Sequence, residues 1–323
     1  MANSETPENQ LGFTAGTPGQ RLRIRATLAW RRFRNGWQIF AQSRLALFGI
    51  ALLLLFGVMA ISHPVLRATI WKQSYFDPVI GYDMEVRHPA MPSSRHPLGT
   101  DALGRDVLSM LLAATRPAFA VGIAAAVTTA LIGTAIGVVS AYYGGAVDLA
   151  SMHVADAFIL LPAPLFMVIV GMRFNNLSPV TLGVIYGVIA GTGGTAIVMR
   201  SHALTVVSKP FIDAARVAGG NNWHMIWHHV LPHMLPLAAL YMMISVTGAV
   251  IADAFISFFG FTRVYLNWGT MVYSSFVYSS YISSGVEWHV LIPPSLALSA
   301  FSAAFYFVAR GLHRVADPRL RQR

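Results

Sequence analysis

Six long runs of apolar residues, none holding more than one charged side chain, limit this chain to very few folds: residues 45–62, 117–143, 150–172, 180–199, 235–259 and 290–312. Each is close to the roughly 20 residues that an α-helix needs to cross the hydrocarbon core of a bilayer. A backbone in lipid must satisfy its own polar groups, and these runs lack the alternation of a transmembrane barrel strand, so helices are the workable solution. Composition agrees, with 55% hydrophobic and 11% charged residues and a mean hydropathy of +0.56. The chain is therefore expected to be an all-α polytopic membrane protein with about six transmembrane helices. No small-residue cleavage pattern lies near the first run, which begins only after a mostly polar stretch, so residues 45–62 are expected to remain as a signal anchor.

Orientation follows from lysine and arginine. Arg21, Arg23, Arg25, Arg31, Arg32, Arg34 and Arg44 precede the first run, and Arg310, Arg314, Arg319, Arg321 and Arg323 close or follow the last. Both termini are expected to be cytoplasmic, which puts residues 200–231, with Arg200, Lys209 and Arg216, on the same side. Residues 63–116 then lie outside, although they mix six basic with five acidic residues; long translocated loops obey the charge rule weakly. Juxtamembrane arginines facing anionic lipid explain the net charge of +10 better than nucleic-acid binding does. Residues 1–20 are polar and expected to be disordered. Residues 21–44 interleave Leu22, Trp30, Phe33, Trp37 and Phe40 with arginines, the pattern of an amphipathic helix lying on the inner leaflet.

Between the fourth and fifth runs lies a polar, aromatic and glycine-broken island, residues 211–236, FIDAARVAGGNNWHMIWHHVLPHMLP. It reads as a short helix containing Asp213, Ala214, Ala215 and Arg216, a turn permitted by Gly219 and Gly220, and a second helix stopped at Val230-Leu231-Pro232. Such a helix-turn-helix on a cytoplasmic loop is a docking element. Ala214 and Ala215 allow a partner's backbone to approach closely, while Trp223, Met225, Ile226 and Trp227 offer an apolar face for a groove. An interfacial loop packed on its own bundle is the plainer alternative.

Ionisable groups at membrane depth default to functional hypotheses, which singles out Asp156 and Asp253; the competing reading is that each sits near a helix end or caps a neighbour. Pro162 and Pro164 should kink the third span, and Pro293 and Pro294 should bend the sixth. Gly133 and Gly137, with Gly191, Gly193 and Gly194, suggest close helix packing. His224 with His228, and His229 with His233, have the spacing of paired metal ligands, but no third ligand accompanies them, and polar contacts to a partner or lipid are expected instead. The aromatic and serine-rich stretch 262–287, with Tyr265, Trp268, Tyr273, Phe276, Tyr278 and Tyr281, fits an interfacial belt or a re-entrant helix. The absence of cysteine excludes a disulfide scaffold, a zinc ribbon and a thiol nucleophile. The two lysines, Lys72 and Lys209, lie outside any glycine-rich phosphate loop, so no ATPase site is expected on this chain.

The order Asp213-Ala214-Ala215, Gly219, Leu231-Pro232 resembles the EAA loop of permease subunits of bacterial ABC importers. Several further motifs are similar to one branch, the dipeptide/oligopeptide/nickel permease family of second-subunit type. They are His96-Pro97-Leu98-Gly99-Thr100-Asp101-Ala102-Leu103-Gly104-Arg105-Asp106, Tyr143-Gly144-Gly145 with Asp148, Ser257-Phe258-Phe259-Gly260, Trp268-Gly269 and Asp317-Pro318-Arg319-Leu320. The chain departs from the pattern in carrying Asp213 for the usual Glu and Thr262 for a common Gly. The resemblance implies a bacterial inner-membrane permease whose coupling element comprises Phe211, Asp213, Ala214, Ala215, Arg216, Gly219, Gly220 and Trp223, closed by Val230, Leu231 and Pro232. It further implies a second homologous permease subunit, two ATP-binding subunits that hold ATP and magnesium, and an extracytoplasmic substrate-binding protein. No cofactor or metal is expected on the chain itself. The domain plan is a tail over 1–44, a first span, an outer connection over 63–116, a permease core over 117–312 with the coupling loop near 200–232, and a tail over 313–323. The competing class is an ion-coupled secondary transporter or channel using Asp156 or Asp253.

Overall fold

The structure, a computed structural model, describes residues 27, 30–31, 34, 36–174, 177–261, 265–282 and 287–316. The expectations for residues 1–20, Thr262 and the motif at 317–320 fall outside the described residues. Among the described residues regular structure is helical, apart from one isolated bridge between Thr100 and Asp106. The elements are α1 (Arg44–Thr69), α2 (Gln73–Phe76), α3 (Val107–Tyr143), α4 (Gly145–Ile159), α5 (Ala163–Arg173), α6 (Pro179–Val207), α7 (Pro210–Val217), α8 (Asn222–Phe258), α9 (Trp268–Ile282) and α10 (Trp288–Ala316). Five of them, α1, α3, α6, α8 and α10, are long and apolar enough to span a bilayer, and α4 with α5 is apolar enough to do so as a bent pair, a broken span or a re-entrant loop.

The broken span is where the prolines act. α4 and α5 meet at Leu160-Leu161-Pro162 with a 77° bend, because Pro162 and Pro164 cannot donate the backbone bonds that a continuous helix would need. Other boundaries moved outward from the hydropathic runs. α3 starts at Val107 rather than near residue 117, since Asp106 accepts the Ser109 backbone N–H at 2.7 Å and caps the helix a full segment earlier. The second helix of the island does not stop at Pro232. It continues unbroken into α8, because a π-type turn over Met225–Val230 re-routes the carbonyls that the proline would otherwise leave unpaired. Residues 36–41 are helical as expected of the amphipathic segment, with Phe40 buried against Gly311 of α10.

One core joins α1, α3, α8, α9 and α10 around Phe56, Met110, Val246, Trp268, Met271 and Phe301. The rings of Phe56, Trp268 and Phe301 stand 5.1–5.6 Å apart in tilted and edge contacts. Trp268 is 1% exposed and its indole N–H donates to the Leu111 carbonyl at 3.3 Å. The described part of the aromatic stretch is a helix that packs Trp268, Met271, Ser274 and Ser275 into the bundle and leaves Phe276 and Tyr278 exposed.

α3 and α6 pack through small residues on both sides. Gly133 faces Thr195 and Gly191, and Gly137 faces Met199 and the Arg200 backbone, as the glycine pattern suggested. A second stripe, Gly183, Gly187 and Gly191, spaced by four on α6, lies directly on α3; a side chain at Gly183 would collide with the Val121 carbonyl. Its four-residue period is plain in the sequence.

Residues 70–106 build a polar lobe over the ends of α1 and α3. His96, 1% exposed, stands between two carboxylates, Nδ1 at 2.8 Å from Asp106 and Nε2 at 3.3 Å from Asp83. Arg95 joins Asp83 and Glu85 at 3.0 and 2.7 Å, and Arg67 pairs with Asp77 at 3.3 Å. The mixed charge of this connection is thus largely paired within it. Burial alone pushes the Asp77 and Asp83 carboxyls up, but backbone N–H groups with Arg67 at Asp77, and with His96 and Arg95 at Asp83, hold both below the ordinary value of 3.8. Burial holds Asp106 above that value.

A depressed carboxylate contributes stability that is present above its unfolded value and is lost as pH falls through the folded one; the raised Asp106 has the opposite sign. The lobe is expected to hold its structure from pH 5 to 7 and to loosen below about pH 4 as Asp77 and Asp83 protonate. Trp71, stacked on Phe76 at 5.1 Å, is the reporter, read as the difference in fluorescence between the wild type and Trp71→Phe. A signal unchanged by full acid titration of the carboxylates would contradict the assignment.

Candidate coupling site

The island folds as a helix-turn-helix because each end has its own stop signal. Pro210 opens α7 at a position where its missing N–H costs nothing. Gly219, at φ +89°, closes it with paired bonds from Gly219 N to the Arg216 carbonyl and from Gly220 N to the Ala215 carbonyl, a Schellman ending. Asn221 then caps α8 by accepting the His224 N–H at 2.7 Å.

The element is anchored from beneath. Ile212, Met225 and Val230 are fully buried with Met199, Ala203, Val206 and Met234, and Ala215 packs against the same cluster. Outward the loop presents Asp213, Ala214, Arg216 and Gly219, with Val217 90% exposed. Asp213 and Arg216 pair across one turn at 3.6 Å. Next to them is a polar depression of about 420 Å³, lined by Ala215, Ala218, Gly219, Gly220, Asn221 and His224 with His229. The two alanines, equivalent in the sequence reading, are therefore separated: Ala214 faces out and Ala215 faces in. Trp223 and Trp227 are exposed and lie edge to face at 5.5 Å, while Phe211 stacks on His233 at 5.4 Å. Leu231 is half-buried and Pro232 exposed at the start of the long helix.

A charged cluster lies under the loop. Both carboxylate oxygens of Asp148 on α4 accept from the Arg200 guanidinium on α6, and the Ser140 hydroxyl on α3 also donates to Asp148. Tyr142 donates to the Asn222 side chain at 3.0 Å, tying the end of α3 to the loop. Sequence reasoning noted Asp148 and Arg200 separately; only the fold joins three helices through them.

The two membrane acids divide. Asp253, 3% exposed, accepts from the Tyr265 hydroxyl at 2.5 Å and the Asn267 amide at 2.9 Å, and that amide also reaches Ser257 at 2.6 Å. It braces the segment leading into α9. Asp156 is exposed on α4 with no side-chain partner among the described residues. His224 and His228 stack with centroids 4.3 Å apart, and no group of three metal-ligating side chains occurs among the described residues.

The fold and the loop define a class: an integral membrane protein whose helical bundle presents a short, internally anchored helix-turn-helix. A family model described as the binding-protein-dependent transport system inner membrane component matches residues 133–322, and the chain belongs to that family. It is an inner-membrane protein. Among its relatives are the glutathione transport system permease protein GsiD of Pectobacterium atrosepticum, 29% identical over 90% of this chain and 92% of that protein. The dipeptide transport system permease protein DppC of Bacillus subtilis is 28% identical over 90% and 86%. The oligopeptide transport system permease protein OppC of Salmonella typhimurium is 31% identical over 98% and 97%.

Proposed function

We propose that this chain is one of two permease subunits of an ATP-driven ABC importer for peptides or closely related small solutes. The observation that carries the reading is α7: a helix held by buried Ile212 whose remaining surface is free to enter a cleft on another protein. Its end of the bundle faces the cytoplasm, where ATP-binding subunits bind and hydrolyse ATP with magnesium. A substrate-binding protein delivers solute at the opposite face. Closure of the ATPase pair moves α7, and the cluster of Asp148, Arg200 and Ser140 passes that movement to α3, α4 and α6. The engagement of Asp253 by Tyr265 and Asn267 supports a bracing role over a proton-carrying one. The peptide-class cargo rests on the names of the relatives.

The chain is expected to purify with ATP-hydrolysing subunits, and vesicles holding that complex are expected to accumulate short peptides only with ATP present. Accumulation driven by a proton gradient, with no ATPase in the preparation, would overturn the reading.

A further inference from the structure

Two of the membrane spans are interrupted, and the interruptions touch. The α4–α5 break follows Ile159. In α6 the helix is π-type over Gly191–Thr195, and Gly193, the central residue of Pro179–Val207, leaves helical geometry with ψ −118°. A side chain at Gly193 would lie 3.3 Å from the Ile159 N and 3.4 Å from the Phe158 carbonyl carbon, so the two breaks lie against each other. Beside them is a cavity of about 510 Å³. Its walls come from the middle of each helix: Ile159, Gly194, Tyr186 and Thr195 near the breaks, Tyr241 to Gly248 at the centre of α8, and Tyr306 on α10.

Non-helical backbone at membrane depth is tolerated only inside protein or against a water-filled cavity. Asp156, one turn before the break, gives the same answer independently. By the 1.5 Å rise it sits roughly 16 Å along α4, near the middle of a bilayer core. An unpaired carboxylate there is not lipid-facing, so this face of α4 looks onto water or another subunit.

We infer that this cavity is where the transported solute contacts this subunit, and that it recognises amide groups of a peptide-like molecule. The inference rests on the permease reading above and adds the site to it. Among the described residues no charged side chain and no histidine lines the cavity, a donor set that does not suit a bare metal ion. The hydroxyl of Tyr241 has no hydrogen-bond partner among the described residues, and that of Tyr186 packs against Gly248 at the cavity wall. Thr195 adds a short hydroxyl, while Ser245 and Thr247 donate theirs to the Met242 and Ser302 carbonyls at 2.9 and 3.1 Å and keep only accepting lone pairs for an amide N–H; the volume is that of a small-ligand site.

The chain contains no cysteine, so a single introduced thiol reports on one position. Gly194→Cys fits without a clash, since the nearest atom to an added Cβ is 3.7 Å away, and Thr247→Cys is a second, nearly isosteric probe. Val58→Cys, on the exposed apolar face of α1, is the lipid-facing control. In the full complex with its ATPases in proteoliposomes, a charged, membrane-impermeant methanethiosulfonate is expected to label both cavity positions at least about tenfold faster than position 58. Tri-alanine is expected to slow that labelling, and nickel ion alone is expected not to. Labelling at 194 and 247 no faster than at 58 overturns the site, and protection by nickel but not by tri-alanine overturns the ligand class. ATP-dependent peptide uptake by the cysteine-free parent tests the importer reading separately.

Discussion

Ala214→Arg is expected to lower ATP-driven uptake on the order of a hundredfold while leaving the amount and thermal stability of the chain unchanged. Ala214 lies on the outer face of α7, and its side chain has no role in the cluster formed by Ile212, Met225 and Val230. An arginine there adds bulk and charge only where a partner must fit. Loss of a packed interface contact costs about 2–4 kcal/mol, and each 1.4 kcal/mol is tenfold in occupancy. Ala215→Arg makes the useful contrast: Ala215 packs inward, so that variant should fail by disordering the loop and should lose stability as well as uptake. Uptake and ATPase stimulation in reconstituted vesicles, read beside a melting curve, separate the two. Normal uptake by the Ala214→Arg complex would remove α7 from the docking surface.

Gly187→Leu should have the largest effect on folding. A Cβ at this position would already stand 2.6 Å from Thr128 Cβ and 2.9 Å from the Ala125 carbonyl, and both belong to α3. The nearest groups are backbone and a branched side chain on a rigid helix, so α3 and α6 must separate. Forcing extra carbons into a tight contact costs about 1–3 kcal/mol when neighbours can adjust, and the upper end applies where they cannot. The separation would also break the contacts at Gly183, Gly191 and Gly133. Gly57→Leu is the control, because nothing lies within 4 Å of a Cβ there. Size-exclusion profiles in detergent should show a monodisperse peak for Gly57→Leu and aggregation for Gly187→Leu. Equal profiles would mean that this helix pair is looser than its geometry.

The membrane class and helical fold were legible because lipid leaves the backbone so little choice: a long uncharged run must bond to itself. The kink at Pro162 and the turn at Gly219 were legible for a similarly local reason, since a missing N–H and a positive φ are properties of single residues. Boundaries were less so. Hydropathy marks where residues tolerate lipid, whereas a helix ends where its last orphan groups find a cap, as at Asp106 and Asn221. The proline at 232 misled because the compensating π-type turn lies upstream of it.

By itself, then, the sequence determined that this protein is a bundle of membrane helices with one polar helix-turn-helix between two of them, because those facts depend on residues close together in the chain. Only the tertiary structure decided which of two adjacent alanines faces outward and that Asp253 is held by Tyr265 and Asn267 while Asp156 has no side-chain partner among the described residues. It also decided that the breaks at Ile159 and Gly193 meet around one cavity. These depend on how helices distant in sequence rotate against one another, and that rotation is set by shape, glycine against branched side chain and proline against bulge, which no local pattern encodes.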